Sequence, residues 1–247
     1  MPSEQVLYGR KPVASLIAHR VERICEIYCA DSAKLEPLVQ DAIGRFAVTG
    51  GLVHKVPMAE IESFLPQLNH QGLLAVLNPR SPVDLDRLLQ ASLSSREVIL
   101  VLDQVSDPHN LGSILRAAEV FGVDGVVLTS ANSASVTPVV RKASSGASEI
   151  VDICYVKNLS RALEQMKSAG FWLVGTALDE VSVDIREHAF DGPLAVVLGS
   201  EGKGLRKLTK AKCDFLVKIP QLGHLESLNV GQAAAVVLYE VIRAKVN

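Results

Sequence analysis

The stretch SEGKGLRKLTKAKCDFLVKIPQLGHLESLNVGQAAAVVLYE, Ser200 to Glu240, follows the apolar run LAVVLG and sets the type of fold. Gly199, Gly202 and Gly204 fall within six residues. Glycines at that density let backbone approach a ligand or fold back on itself. A phosphate-binding P-loop is excluded, because it needs four residues between its first glycine and a Gly-Lys-Ser/Thr ending that reaches phosphate and Mg²⁺. A dinucleotide-binding turn is excluded as well, since the G-x-G-x-x-G spacing and its acidic partner are missing. After the glycines come a basic helix, the strand DFLVKI, a polar loop ending in Ser227-Leu228-Asn229, and an Ala/Val-rich helix. Strand, loop, helix, strand, loop, helix is the grammar of an α/β domain.

Working outward, EVILVLDQV, GVVLT, EIVDICY and FWLVGTA read as further buried strands. Helical patterns lie between them around Leu111 to Phe121 and Leu159 to Ala169, and Val230 to Arg243 closes the series. Near-continuous apolar strands separated by helices predict a largely parallel sheet covered on both faces. Residues 1–77 alternate shorter helices and strands (EIYCA, LVHKV, GLLAVL) and predict a small α/β domain, with helices from about Val13 and Ala33 and a short one opened by Pro57. Residues 78–94, rich in Pro, Asp and Ser, read as a linker with a little helix inside it. Residues 95–247 form the second domain.

The chain has 247 residues, 48% of them apolar, and a net charge of −2, which argues against a uniformly basic nucleic-acid coat and leaves room for a local basic patch. Lys203, Arg206, Lys207, Lys210, Lys212 and Lys218 supply one, with Asp214 the only acid between positions 203 and 218. Cys25, Cys29, Cys154 and Cys213 make no CxxC pair or metal-ligand series and read as buried free thiols. No metal is expected. The start MPSEQVLYGRKP has no apolar secretory core, and no apolar run is long enough to span a membrane. A soluble cytoplasmic protein is the expectation.

Chemistry-bearing residues concentrate in three segments. In DQVSDPHNLGSILRAAEVFG, Asn110 is placed to cap a helix that carries Arg116 in its second turn; His109 reads as a turn residue rather than a base. Gly199 to Gly204 contains one carboxylate, Glu201. Ser227 and Asn229 precede the last helix, and either can cap it; one helix needs only one such cap.

These three segments, in this order, resemble the three motifs of the SpoU/TrmH branch of SPOUT RNA 2'-O-methyltransferases. YGRKPV and HQGLLAVL are similar to the small L30e-like RNA-binding domain of the bacterial 23S ribosomal RNA guanosine enzymes in that branch. The resemblance covers nearly the whole chain. It implies an α/β SPOUT fold with a deep trefoil knot, preceded by the L30e-like α/β domain. It also implies S-adenosyl-L-methionine bound by three loops, carried onto Leu173 to Thr176, Leu198 to Glu201 and Ile219 to Asn229, with Thr176, Leu198, Gly199, Ile219 and Leu228 as contacts.

Its active-site positions fall on Asn110, Arg116, Glu201, Ser227 and Asn229. Arg116, which stays protonated when free, is expected to position the ribose hydroxyl and its neighbouring phosphate, with phosphate or water taking the proton. Expected partners are structured RNA, 23S ribosomal RNA first among them, and a second copy of the chain joined through the C-terminal domain. The sequence departs from the family pattern at Gln221, in the GHLES segment with His224 and Glu226, and at Gly231. Those departures bear on the choice of nucleotide more than on the reaction. Transfer-RNA ribose methylation, or a non-catalytic RNA-binding protein on the same scaffold, are the competing expectations; the second fits poorly with all five site positions retained.

Overall fold

The computed structural model describes residues 5–224 and 227–246, and divides them into two units. The first begins with β1 (Val6–Tyr8), α1 (Arg10–His19), β2 (Ile24–Ala30), α2 (Pro37–Val48), β3 (Leu52–Val56), α3 (Met58–Phe64) and β4 (Leu73–Leu77). Its four strands lie in the order β1-β4-β2-β3, with β2 and β3 parallel and β4 antiparallel to both neighbours. Two helices start elsewhere than the apolar periodicity suggests. The α1 helix begins directly after Gly9, and α2 begins at Pro37 rather than near Ala33, because proline at the first helical position is pre-set for helix and gives up no needed N–H.

The second unit contains α4 (Leu85–Ser92), β5 (Val98–Asp103), α5 (Pro108–Val120) and β6 (Gly125–Thr129). Residues 135–150, with α6 (Pro138–Ala143), then pack with the first unit. The second unit resumes with β7 (Ile153–Val156), α7 (Leu159–Ser168), β8 (Trp172–Thr176), β9 (Val183–Asp184), β10 (Leu194–Gly199), α8 (Lys207–Lys212), β11 (Phe215–Lys218) and α9 (Val230–Val246). Its seven strands run β7-β6-β5-β10-β8-β11-β9, and every described pairing is parallel, as the apolar runs imply. The expected strand EIVDICY is shortened at its start. Glu149 sits instead in a 3₁₀ turn of the first unit, buried between Arg23 at 2.8 Å and Arg141 at 2.6 Å.

Packing, rather than chain order, places the helix inside the stretch read as a linker. Asp84 caps α4 by accepting from the Asp86 N–H, and Leu85, Leu88 and Leu89 join Ile99, Val101, Val127, Ala195, Val197 and the α7 residues Leu163 and Met166 in one core. The helices α5 and α9 pack against each other, and Gly231 of α9 faces Ser113 of α5. A Cβ there would lie 2.8 Å from Cβ of Ser113, so glycine lets the two helices meet. The expectation that all four cysteines are buried is corrected: Cys25 is exposed and its thiol donates to Asn78, whereas Cys154 is buried and Cys213 half-buried. Burial pushes the Cys154 thiol up to about 11 and Cys213 up to about 12, so both stay protonated and unreactive.

Candidate active site

The second unit has a cavity of about 410 Å³ at the carboxyl ends of β8, β10 and β11, where ligands of open parallel sheets bind. Thr176, Gly199, Ile219 and Leu228 line it, as do Glu201 and Ser227. Leu198 does not: it is buried in β10 one residue before the lining begins. The wall also includes Leu178 and Val237, giving an apolar surface beside exposed backbone.

The glycine-rich segment folds back on itself. Ser200 and Gly204 exchange backbone hydrogen bonds of 2.9 and 3.2 Å, and Gly204 takes φ of 61°, which glycine adopts without strain. Gly199 is required for a different reason. A Cβ on it would lie 2.1 Å from the Gly204 carbonyl carbon, where no side chain fits. Closure of this loop puts Glu201 at its tip.

Three of the five expected site residues are joined by hydrogen bonds. Asn229 Oδ1 accepts from the Gly231 N–H at 2.9 Å, which caps α9 and turns Nδ2 of Asn229 outward to donate to Asn110 Oδ1 at 2.8 Å. Asn110 in turn donates from Nδ2 to Glu201 Oε2 at 2.8 Å. One backbone amide at the start of α9 thus fixes the orientation of both amides and, through them, the carboxylate. The expectation that Asn110 caps α5 is corrected. Asp107 does so, accepting from the Asn110 N–H at 2.8 Å with Pro108 next in line, and this releases the Asn110 side chain for Glu201. Ser227 is exposed on the cavity wall, outside the relay. Arg116 is exposed on α5, and among the described residues it has no ion-pair or hydrogen-bond partner, so its fork is free for a substrate anion. His109 is exposed in the first turn of α5 and takes no part in the relay. Gln221 lines the cavity, His224 is exposed, and Glu226 lies outside the described residues.

Sequence reading missed the supports. Asp103 ends β5 fully buried and grips Arg206 twice, at Nε with 2.7 Å and at the backbone N–H with 3.2 Å, anchoring the chain just beyond the glycine loop. The only sequence signal was a carboxylate at the end of an apolar strand. The basic patch is also smaller than it reads: Arg206 pairs with Asp103, Lys210 with Asp179 and Lys212 with Glu164. Among the described residues Lys203 and Lys207, both exposed, carry no such partner. No group of three or more His, Cys, Asp or Glu gathers as metal donors among the described residues, and no helix there is long and apolar enough to cross a membrane.

A parallel α/β domain with a loop-built cavity at its strand ends defines the class of molecule, and comparison with known proteins gives the family. The SpoU rRNA Methylase family profile matches residues 97–239, and the profile described as RNA 2'-O ribose methyltransferase substrate binding matches residues 6–83. A Pseudomonas putida protein named 23S rRNA (guanosine-2'-O-)-methyltransferase RlmB is 38% identical over 248 residues, 99% of this chain and 98% of the relative. A Staphylococcus haemolyticus protein provisionally classed as a TrmH family tRNA/rRNA methyltransferase is 41% identical over 244 residues, 97% of this chain and 96% of its own length. The crystal structure of an AdoMet-bound rRNA methyltransferase from Sinorhizobium meliloti superposes with a TM-score of 0.75 at 26% identity, covering 96% of this chain and 86% of that one. The chain belongs to the SpoU methylase family of RNA 2'-O-methyltransferases, with an N-terminal substrate-binding domain and a C-terminal catalytic one.

Proposed function

We propose that the protein transfers a methyl group from S-adenosyl-L-methionine to the ribose 2'-hydroxyl of one guanosine in 23S ribosomal RNA. The observation that carries this reading is the relay from Asn229 through Asn110 to Glu201, whose last member stands on the cavity wall. The cavity suits the methyl donor: about 410 Å³ is within the usual range for a small-molecule site, and Ile219, Leu228 and Val237 offer apolar wall for a purine. The bare backbone at Gly199 offers close hydrogen bonding, with Thr176 at the end of the neighbouring strand β8. When bound, S-adenosylmethionine supplies an electrophilic methyl carbon.

The chain's own residues then have separate tasks. Glu201, its free oxygen not engaged by Asn110, accepts from a donor in the site: the incoming hydroxyl or the Arg116 fork. Arg116 holds the phosphate beside that hydroxyl bidentately and is not itself the base, because guanidinium keeps its proton. Phosphate or water takes the ribose proton as the oxygen attacks. Ser227, also on the cavity wall, steadies the ribose. Positioning of this kind contributes by holding the reacting atoms in line rather than by new chemistry. The same reading includes an L30e-like first domain, a trefoil-knotted second domain, a homodimer through that domain and a cytoplasmic location.

A transfer-RNA target is the competing reading, favoured by the Staphylococcus relative, which is classed as a tRNA/rRNA methyltransferase. Mapping 2'-O-methylated nucleotides in ribosomal and transfer RNA from cells with and without the gene separates them. Loss of a single guanosine mark in 23S rRNA supports the proposal; loss of a transfer-RNA mark with ribosomal RNA unchanged overturns it.

A further inference from the structure

The first unit carries its own cavity, also about 410 Å³, walled by Arg10, Ser32, Lys34, Met58, Asn69 and His70. Its floor is the loop that ends in Gln71 and Gly72, both at positive φ, 57° and 72°. Inside that loop the Gly72 N–H donates to His70 Nδ1 at 3.1 Å, so the remaining proton of the neutral ring sits on Nε2 as a further donor.

Gln71 gathers the cations. Its Oε1 accepts from the Arg10 backbone N–H at 3.2 Å and from Lys142 Nζ at 3.2 Å, and its carbonyl accepts from Arg10 Nε at 3.4 Å. Lys142 comes from α6, in the stretch 135–150 that packs with this unit. Its ammonium lies 5.5 Å from the centre of the Tyr8 ring. It also rests where Gly9 is bare: a Cβ there would lie 2.0 Å from Nζ. Burial lowers the Lys142 pKa, and no carboxylate among the described residues pairs with Arg10, Lys34 or Lys142. A freely solvated surface lysine needs no such seat. A half-buried ammonium and a guanidinium that both bond to one neutral glutamine, with no carboxylate paired to either, leave charge that an external anion would satisfy.

We propose that this cavity binds one nucleotide of the RNA substrate, its phosphate drawn to the edge where Arg10 and Gln71 line the wall and Lys142, outside the lining itself, bonds to the Gln71 amide oxygen. The inference rests on the RNA-methylating function above and adds a residue to it. Lys142 lies outside the 6–83 span of the substrate-binding profile, so chain order alone would assign it to the catalytic domain. Phosphate contacts of this kind position RNA without reading its sequence.

The test uses the full-length protein, a folded fragment of large-subunit ribosomal RNA, and binding measured across a KCl series. Lys142→Met keeps the stem against Tyr8 and removes the charge. It should weaken RNA binding roughly five- to tenfold near 0.1 M salt and reduce the log–log salt slope by about 0.7 to 0.9, the value for one phosphate contact. Affinity for S-adenosylmethionine and the melting temperature should hold, Lys142→Arg should retain most of the binding, and adding Arg10→Gln should take off a second such increment. Unchanged RNA affinity and slope in Lys142→Met, or a lower melting temperature with an unchanged slope, would overturn the site while leaving the functional reading standing. Guanosine monophosphate or inorganic phosphate competing at micromolar concentration would assign the cavity to a free phosphate compound and overturn the RNA assignment. Failure of the unaltered protein to bind RNA would overturn both.

Discussion

Replacing Asn110 by Asp tests the relay with almost no change of shape. The new carboxylate still accepts from Asn229, but the N–H that reached Glu201 at 2.8 Å becomes a second negative charge. Two unit charges at that distance repel by roughly 1.5 kcal/mol in water and about 6 kcal/mol at an effective dielectric constant of 20. Glu201 is exposed, so the lower figure applies. Loss of a hydrogen bond to a charged group adds about 1.5 kcal/mol at the low end of its range. Together these amount to roughly 3 kcal/mol, or about a hundredfold in single-turnover rate near neutral pH if the full displacement of Glu201 is felt in the transition state. The pH dependence is the sharper signature. A proton shared between two adjacent carboxylates restores a donor, and mutual repulsion raises the pKa at which that proton binds. The Asn110→Asp enzyme should therefore recover rate, relative to the unaltered enzyme, as pH is lowered from about 8 toward 5, the range over which a raised carboxylate titrates. The assay is single-turnover transfer of labelled methyl to RNA with saturating donor. A near-normal rate at pH 7.5 with a relative pH profile that stays flat would refute the relay.

Gly199→Ala forces the glycine loop open, because its Cβ would sit 2.1 Å from the Gly204 carbonyl carbon; titration calorimetry should show donor affinity reduced at least tenfold in a protein that still folds, matching the 1–3 kcal/mol cost of overpacking. Arg116→Ala should leave donor affinity and melting temperature intact while lowering single-turnover methylation by about a hundredfold or more, the loss typical of one well-placed electrostatic group. Glu149→Gln removes the buried charge that bonds to both Arg23 and Arg141 and should destabilise the first unit by about 3 kcal/mol, measured by urea unfolding at pH 7. Burial alone would raise the Glu149 pKa, but Arg141 and Arg23 together hold it below the ordinary 4.5. Its stabilising contribution is thus fully present above about pH 4.5 and lost as pH falls through the lowered value, so the difference between the two proteins should shrink below pH 4.

The parallel sheet was legible because its strands are apolar on both faces, and runs such as LAVVLG and GVVLT announce burial without any knowledge of their neighbours. Strand order was not: nothing in the spacing of β8, β10 and β11 says that β10 lies between β5 and β8. The two-residue strand β9 has too little pattern to be read at all. Asn110, Glu201 and Asn229 were visible as polar residues at loop ends, yet their connection joins positions 91 and 119 residues apart and depends on which residue caps α5. Asp107 and Asn110 both make good caps, and the choice between them is made by the proline that follows Asp107. The apparent strength of the basic patch misled for a related reason. Asp103, Glu164 and Asp179 are remote in sequence from the cations they neutralise. Lys142 was silent for the same cause, since the role proposed for it rests on residues 135–150 belonging to a different unit from the residues on either side in the chain.

The most direct measurement is nucleoside analysis of structured large-subunit ribosomal RNA after incubation with the protein and methyl-labelled S-adenosylmethionine. The account predicts label in a single 2'-O-methylguanosine, recovered as an alkali-resistant dinucleotide and formed about a hundredfold more slowly when Asn110→Asp replaces the unaltered enzyme at pH 7.5. Label on a base, or no transfer to RNA at all by a folded protein that binds the donor, would contradict it.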